Sequence, residues 1–197
     1  MTYRSLAPLA GLLAVSPDVA LGHDAFGDLG PFYGALLHPL ADPTQGLIVA
    51  AIAVLLARQP IASVRWAWIA LAIVGALTVG LGLLVPLAGP GLFVIALSAA
   101  GLGILALTGS DLGLWPSIVL SVGAAVLAGL AVDLPDGTRA AALAAFGGMV
   151  GISLGALLVW GLVDLLQTRF GRVAGAVVGS WIAAIGTMAI AFSIVAT

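Results

Sequence analysis

The sequence predicts an all-α integral membrane protein that crosses a bilayer about six times. Of its 197 residues, 62% are hydrophobic and only 7% are charged, whereas about a quarter of the residues of an ordinary soluble domain are charged. The mean hydropathy is +1.27, and a water-soluble fold of this size would have to expose much of that apolar surface to solvent. The third observation is that the apolar residues form runs about as long as a bilayer is thick.

A membrane-spanning helix needs about 20 mainly apolar residues, because the hydrocarbon core is about 30 Å thick and a helix rises about 1.5 Å per residue. Short breaks rich in proline, glycine and charge divide the chain into such runs. The predicted spans are residues 43–58, 66–87, 90–108, 114–132, 139–168 and 172–196. Asp42 followed by Pro43 is typical of a helix N-cap with proline at the first helical position. Residues 31–41 before it predict a half-buried or re-entrant segment.

The first 22 residues allow two interpretations. An arginine precedes the apolar residues 6–15, and a small-residue ending follows at residues 20–22. This order is typical of a secretory signal peptide, whose cleavage after residue 22 would make His23 the first residue of the mature chain. The alternative is a retained seventh helix, which two prolines and an aspartate in this segment disfavour. In both cases residues 23–197 form one polytopic membrane domain.

The arginines predict the orientation of the helices. Arg58 and Arg65 bracket the first connection between spans, and Arg169 and Arg172 bracket the last, whereas Arg139 lies on the opposite side. Loops rich in arginine stay on the cytoplasmic side of a bilayer. We therefore expect the two arginine-bracketed loops in the cytoplasm, and both ends of the six-helix body on the outer side.

Glycines at intervals of four predict how the last two spans pack. Such spacing places small residues on one helical face, where two backbones can approach closely. The two sets are Gly147, Gly151 and Gly155 in the fifth span, and Gly171, Gly175 and Gly179 at the start of the sixth. Because these spans are consecutive, we expect them to pack tightly against each other as a hairpin. The same faces are also candidates for binding a partner helix or a second copy of the chain.

Both histidines of the protein fall in one stretch of sixteen residues on the expected outer side, together with several carboxylates. Imidazole and carboxylate together suit first-row divalent ions such as Ni²⁺, Co²⁺, Cu²⁺ and Zn²⁺. The candidate metal ligands are His23, Asp24, Asp28, His38, Asp42 and Gln45. The alternative is structural, with His38 at a helix start, Asp42 as a cap and the other two aspartates solvated.

Several function classes find no support in the sequence. No basic patch predicts binding to nucleic acid, and the lack of cysteine excludes disulfides, thiolate metal sites and cysteine nucleophiles. The sequence contains no catalytic or nucleotide-binding motif, so we expect no enzymatic activity. Asp164, an acid within the fifth span, is interpreted as snorkelling to the interface or pairing with the arginines that follow it, with a functional intramembrane acid as the alternative.

Residues 23–40 read His-Asp-Ala-Phe-Gly-Asp-Leu-Gly-Pro-Phe-Tyr-Gly-Ala-Leu-Leu-His-Pro-Leu, and this stretch resembles the HupE/UreJ family, particularly its second branch. Members have a signal peptide and about six spans, with an N-terminal histidine and a His-Pro motif that opens the first helix. His23 and His38 occupy the positions of those two histidines. The resemblance implies a multi-pass protein of the bacterial inner membrane with nickel or cobalt uptake as its activity.

The sequence also departs from the family pattern. Gln45 stands where the family has a further histidine, and Thr44 stands where the main branch has an aspartate. A glutamate typical of later helices has no counterpart, since the sequence contains no glutamate. The leading functional hypothesis is a metal permease or metal-handling protein that captures its ion at the outer face. The alternative is an accessory subunit, without transport activity, of a larger membrane complex.

Overall fold

The computed structural model of the chain describes residues 29–195, in which all the regular elements are α-helices. The helices are α1 (Gly30–Ala41), α2 (Pro43–Leu56), α3 (Ile61–Gly82), α4 (Leu92–Thr108), α5 (Leu114–Leu130), α6 (Thr138–Phe170) and α7 (Val173–Val195). The predicted all-α class is confirmed over this range, and the six predicted spans correspond in order to α2 through α7. The predicted signal segment, residues 1–22, lies outside the described residues.

Three helices are long and apolar enough to cross a membrane, namely α3, α6 and α7. The pair α1 and α2 passes the same test when taken together, although it bends by 69° at the break between its two helices. The remaining helices, α4 and α5, are apolar and 17 residues long. The described part of the chain thus holds three to four membrane-capable helices, and the count of about six spans stays a prediction.

The bend between α1 and α2 is centred on Asp42 and is called the elbow below. The Asp42 carboxylate accepts hydrogen bonds from the backbone N–H of Thr44 at 2.9 Å and of Gln45 at 3.2 Å. It thereby satisfies donors at the start of α2 that have no partner within the helix. The predicted N-cap with Pro43 behind it is confirmed. The segment predicted to be half-buried or re-entrant is the helix α1.

The centre of the bundle is α2. Its residues from Ala51 to Leu56 are all buried, which is typical of a helix that is apolar on every side and surrounded by others. It contacts α1, α4, α5, α6 and α7. Around it, α3 packs on α5, α4 packs on α7, and α1 packs on α6. Near the start of α2, the polar side chain of Gln45 is also buried in the interior of the protein.

The first glycine set packs against α1 and not against α7. An added Cβ at Gly147 would lie 2.2 Å from the carbonyl oxygen of Phe32, and one at Gly151 would lie 2.4 Å from that of Leu36. These contacts advance by four residues on both helices, so α1 and α6 run parallel. Gly155 continues the face with ordinary contacts to α1 and α2. The first set therefore does not mediate the expected hairpin between the last two spans, because the sequence did not reveal α1 as the helix that fills this face.

The second glycine set packs against α4, against Arg58 and against Gln167 near the end of α6. An added Cβ at Gly179 would lie 2.9 Å from the backbone nitrogen of Leu107, and one at Gly175 would lie 2.8 Å from Nη1 of Arg58. Gly171 has a φ of 75° and ends α6. Gly175 and Gly179 are thus closely packed within the chain, whereas an added Cβ at Gly171 would meet nothing within 4 Å.

The connections between helices gather at two ends of the bundle. The histidine end comprises the elbow and the connections 83–91 and 131–137, and the arginine end comprises the connections 57–60, 109–113 and 171–172. Gln167 donates a hydrogen bond to the carbonyl oxygen of Ala57 at 2.9 Å. Arg58 donates to the carbonyl oxygen of Arg172, and Arg172 donates to that of Gly109 at 3.2 Å. The prediction that the first and last connections share one end is confirmed.

Candidate metal site at the histidine end

A cavity of about 730 Å³ opens at the histidine end between the elbow, the last turns of α3 and α5, and the two connections there. Its polar wall includes the side chains of His38, Asp42 and Thr44 on the elbow. Asp133, in the connection after α5, lines the same cavity. Asp133 was not among the ligands predicted from the sequence, since it lies 91 positions after Asp42 along the chain.

His38 lies in the last turn of α1, where its ring is held beside the start of α2. Its Nδ1 is 2.9 Å from Oε1 of Gln45 and 4.0 Å from Oδ2 of Asp42. The His38 side chain is 18% exposed and that of Asp42 is 24% exposed. Both groups therefore remain reachable from the cavity while one side of the imidazole is held by the protein.

Gln45 is fully buried, with an exposed fraction of 0%. Its Nε2 donates a hydrogen bond of 2.8 Å to the carbonyl oxygen of Ala128 in α5, and its Oε1 faces the His38 ring. Gln45 is not among the residues that line the cavity. Both polar atoms of the predicted ligand Gln45 are thus engaged within the protein.

Asp42 has a structural role in addition to facing His38. Beyond the two backbone N–H groups that it caps, it accepts from the Thr44 hydroxyl at 2.8 Å on Oδ1 and 2.7 Å on Oδ2. The Thr44 side chain thus holds the carboxylate in a fixed orientation at the elbow. The Thr44 hydroxyl has a single hydrogen, so when it donates to Oδ1, Oδ2 accepts only from the Gln45 N–H and keeps a lone pair for a cation.

The remaining candidate ligands are His23, Asp24 and Asp28, which lie outside the described residues. Among residues 29–195, no group of three or more histidine, cysteine, aspartate or glutamate side chains is arranged to hold a metal ion. The structure therefore brings together His38 and Asp42, with Asp133 on the same cavity.

Two other sequence-predicted charges lie away from the cavity. Asp164 is exposed on α6, and among the described residues no arginine lies within 4.0 Å of it. Arg58 at the arginine end is only 7% exposed. Burial lowers the pKa of Arg58 below its ordinary value, and the nearby positive charge of Arg172 lowers it further. The sequence predicted the position of Arg58 but not its burial.

No family model, no curated protein and no solved structure matches the chain.

Proposed function

We propose that the protein resides in the bacterial inner membrane, captures a divalent cation at its outer face and passes it into the membrane domain, as a metal permease or metal-handling protein does. The observation that carries this proposal is the placement of His38 beside Asp42 on the wall of a cavity of about 730 Å³. An imidazole beside carboxylates suits Ni²⁺, Co²⁺, Cu²⁺ and Zn²⁺. In a chain with so few ionisable groups, those that face an internal cavity are candidates for a transport pathway.

The segment of residues 23–28 is long enough for its side chains to serve as further ligands. Six residues span at most about 20 Å when extended, and the rise from Leu29 to His38 along a helix is about 14 Å. His23 can therefore reach back along α1 to an ion held by His38. Together with Asp24, Asp28 and Asp42, the two histidines would supply a mixed nitrogen and oxygen shell.

Six crossings result if α3, α6 and α7 each cross once, the elbow pair crosses once as a broken span, and α4 and α5 each cross once. A helix of 17 residues is about 26 Å long, at the lower limit of about 17–25 residues for a membrane span. Gly89, before α4, is next to the Leu130 carbonyl at the histidine end, whereas Gly109, after α4, is next to Arg58. A helix that connects both ends of the bundle supports a crossing at α4.

We assign the arginine end to the cytoplasmic side of the membrane. It carries four of the six arginines, namely Arg58, Arg65, Arg169 and Arg172, and the positive-inside rule assigns such an end to the cytoplasmic side. The histidine end and its cavity then face the periplasm, from which a scarce metal ion would be captured.

Single cysteines test the topology, because the chain has no cysteine of its own. We expect Ala88→Cys and Asp136→Cys to react with a membrane-impermeant maleimide on intact spheroplasts, since both positions are exposed in connections at the histidine end. Ser110→Cys, exposed at the arginine end, should react only after permeabilisation. This pattern would establish that α4 and α5 both cross the membrane. Equal external labelling of positions 88 and 110 would contradict a crossing by α4.

Metal analysis of the detergent-purified protein tests the function. After exposure to each of the four ions, we expect one ion to be retained stoichiometrically by the parent protein. His38→Ala should weaken its affinity at least about 100-fold, because the loss of one imidazole ligand removes more affinity than the 10–100-fold expected for an outer-shell partner. The matched control is Thr78→Val, which alters the same cavity at a side chain bonded to its own helix.

Two outcomes would count against the metal hypothesis. Equal metal content in the parent and in His38→Ala would remove His38 from the site. A parent protein that retains none of the four ions would overturn the metal function and favour the alternative, an accessory subunit of a larger complex.

A further inference from the structure

We infer that Gln45 is a positioning residue that places a proton on Nδ1 of His38 and so offers Nε2 of that ring to the cation. The inference about the proton concerns the chain alone. Only the statement that Nε2 binds a cation rests on the proposed function. Three observations carry the inference, namely a fixed amide, a short contact to Nδ1 of the ring and the position of His38 on the wall of the cavity.

The orientation of the Gln45 amide is fixed by Ala128. A backbone carbonyl oxygen can only accept a hydrogen bond, so the end of the amide that lies 2.8 Å from it must be the NH₂ group. The last carbonyls of a helix lack partners within it. Val132 N–H, which would reach Ala128 if α5 continued, donates instead to Gly129 at 3.3 Å. Gln45 therefore supplies the hydrogen-bond donor that the Ala128 carbonyl oxygen lacks where α5 ends.

The fixed amide determines the proton on His38. With its NH₂ group committed to Ala128, the amide turns Oε1 toward Nδ1 of His38 at 2.9 Å. An amide oxygen can only accept, so Nδ1 must be the protonated nitrogen. In a neutral imidazole the other nitrogen, Nε2, then carries the free lone pair. If the amide were reversed, its oxygen would face the Ala128 carbonyl oxygen, and neither acceptor would have a donor. Because Gln45 is fully buried, water could not supply one.

Gln45 rather than Asp42 is the partner that sets this tautomer. Oδ2 of Asp42 is 4.0 Å from Nδ1, beyond hydrogen-bond distance, whereas Oε1 of Gln45 is at 2.9 Å. Histidine ligands of metals usually donate their second ring N–H to an oxygen acceptor, which fixes ring orientation and raises the basicity of the ligand nitrogen. Gln45 supplies such an acceptor and so acts through His38, in a different role from the direct ligand expected from the sequence.

Nitrogen NMR of the metal-free protein tests the tautomer directly. The sample is the His23→Ala chain with ¹⁵N-labelled histidine in detergent, so that His38 gives the only imidazole signals, at about pH 8.5, where a free imidazole is neutral. We expect a protonated Nδ1 and an unprotonated Nε2. A spectrum with the proton on Nε2 would overturn the inference without any variant of Gln45.

Variants of Gln45 separate the positioning role from a purely structural one. Gln45→Met keeps the length but removes the acceptor, so the preference for the Nδ1–H form should be lost. Gln45→Glu keeps an oxygen beside Nδ1 and should retain it. The matched control is Gln59→Met, since Gln59 is 8% exposed and bonds Ser110 and Leu112 at the opposite end. A Gln45→Met protein that is folded and keeps the parent tautomer would contradict the inference.

Metal affinity provides the second readout, in the chain that retains His23. We expect Gln45→Met to bind the retained ion about 10–100-fold more weakly than the parent, the effect usual for a residue that orients a ligand, and Gln59→Met to match the parent. Unchanged affinity in Gln45→Met would overturn the positioning role. If the tautomer is as inferred but the parent binds no metal, the proposed function fails and the proton placement stands.

Discussion

Replacing Gly151 by alanine is expected to destabilise the protein by about 2–3 kcal/mol, the upper range for inserting a methyl group into a packed interior. The new Cβ would lie 2.4 Å from the carbonyl oxygen of Leu36 and 3.0 Å from its carbon. These are backbone atoms of α1, which cannot turn away as a side chain can. The two helices would have to separate along their contact. Gly147→Ala, at 2.2 Å from the Phe32 carbonyl oxygen, should act in the same direction.

Two glycines of the same helix are matched controls. An added Cβ at Gly155 meets its nearest atom at 3.7 Å, and one at Gly161 meets none within 4 Å. Alanine has a higher helix propensity than glycine by about 1 kcal/mol, so Gly161→Ala should be neutral or slightly stabilising. Thermal unfolding of the purified variants in one detergent measures the difference. A Gly151→Ala protein as stable as Gly161→Ala would contradict the close packing of α1 on α6.

The same variant connects packing to the candidate site. His38 belongs to α1, and its ring is held against Gln45 only while α1 lies in its groove on α6. Displacing α1 at Gly151 should therefore weaken metal retention even under conditions where the protein stays folded. Gly161→Ala lies far along α6 from this groove and should leave metal retention unchanged.

The sequence predicted the helices better than it predicted their partners. Each predicted span matches one helix because the length of an apolar run and the capping residues, such as Asp42 and Pro43, are local properties. The glycine spacing likewise identified close approaches at Gly147, Gly151, Gly175 and Gly179, but not at Gly155 or Gly171. Which helix fills such a face depends on the arrangement of the whole bundle, and the short helix α1 was not expected to lie in the groove at Gly147 and Gly151.

In the candidate site as well, the contacts between residues close in sequence were predictable and the long-range contacts were not. His38, Asp42 and Gln45 lie within eight residues of one another, so a helix break at Asp42 was enough to suggest that they meet. The contact from Gln45 to Ala128 joins residues 83 positions apart and uses a backbone carbonyl, which no side-chain pattern reveals. Asp133 reaches the cavity for the same reason, through the packing of α5 beside the elbow.

At the opposite end, Arg58 occupies the point where three helices finish. Leu56, Thr108 and Phe170 are the last residues of α2, α4 and α6, and each helix C-terminus carries about half a negative charge. Arg58 donates to the Arg172 carbonyl, and it forms no ion pair with a carboxylate among the described residues. The negative ends of the three helices and the Arg172 carbonyl are therefore the groups that can stabilise the buried guanidinium of Arg58.

Arg58→Leu is therefore expected to destabilise the protein by about 2–4 kcal/mol, because it leaves the Arg172 carbonyl and the three helix ends without their positively charged partner. Arg58→Lys should recover only part of this loss, since a lysine concentrates its charge on one strongly hydrated ammonium, whereas the planar guanidinium spreads it over three nitrogens. The control is Arg65→Leu at the same end, where the arginine is exposed and a surface substitution changes stability by about 0.5 kcal/mol at most. Thermal unfolding in detergent measures all three variants.

The sign of the Arg58→Leu result decides between two opposing effects. Burial lowers the pKa of Arg58, with a smaller contribution from Arg172, which means that the charged form is poorly solvated in the folded protein. Replacing a poorly solvated charge by an apolar side chain of similar volume can stabilise a protein. A Leu variant more stable than the parent would show that desolvation outweighs the attraction of the helix ends. The expected loss of stability would instead identify Arg58 as the group that holds the arginine end closed.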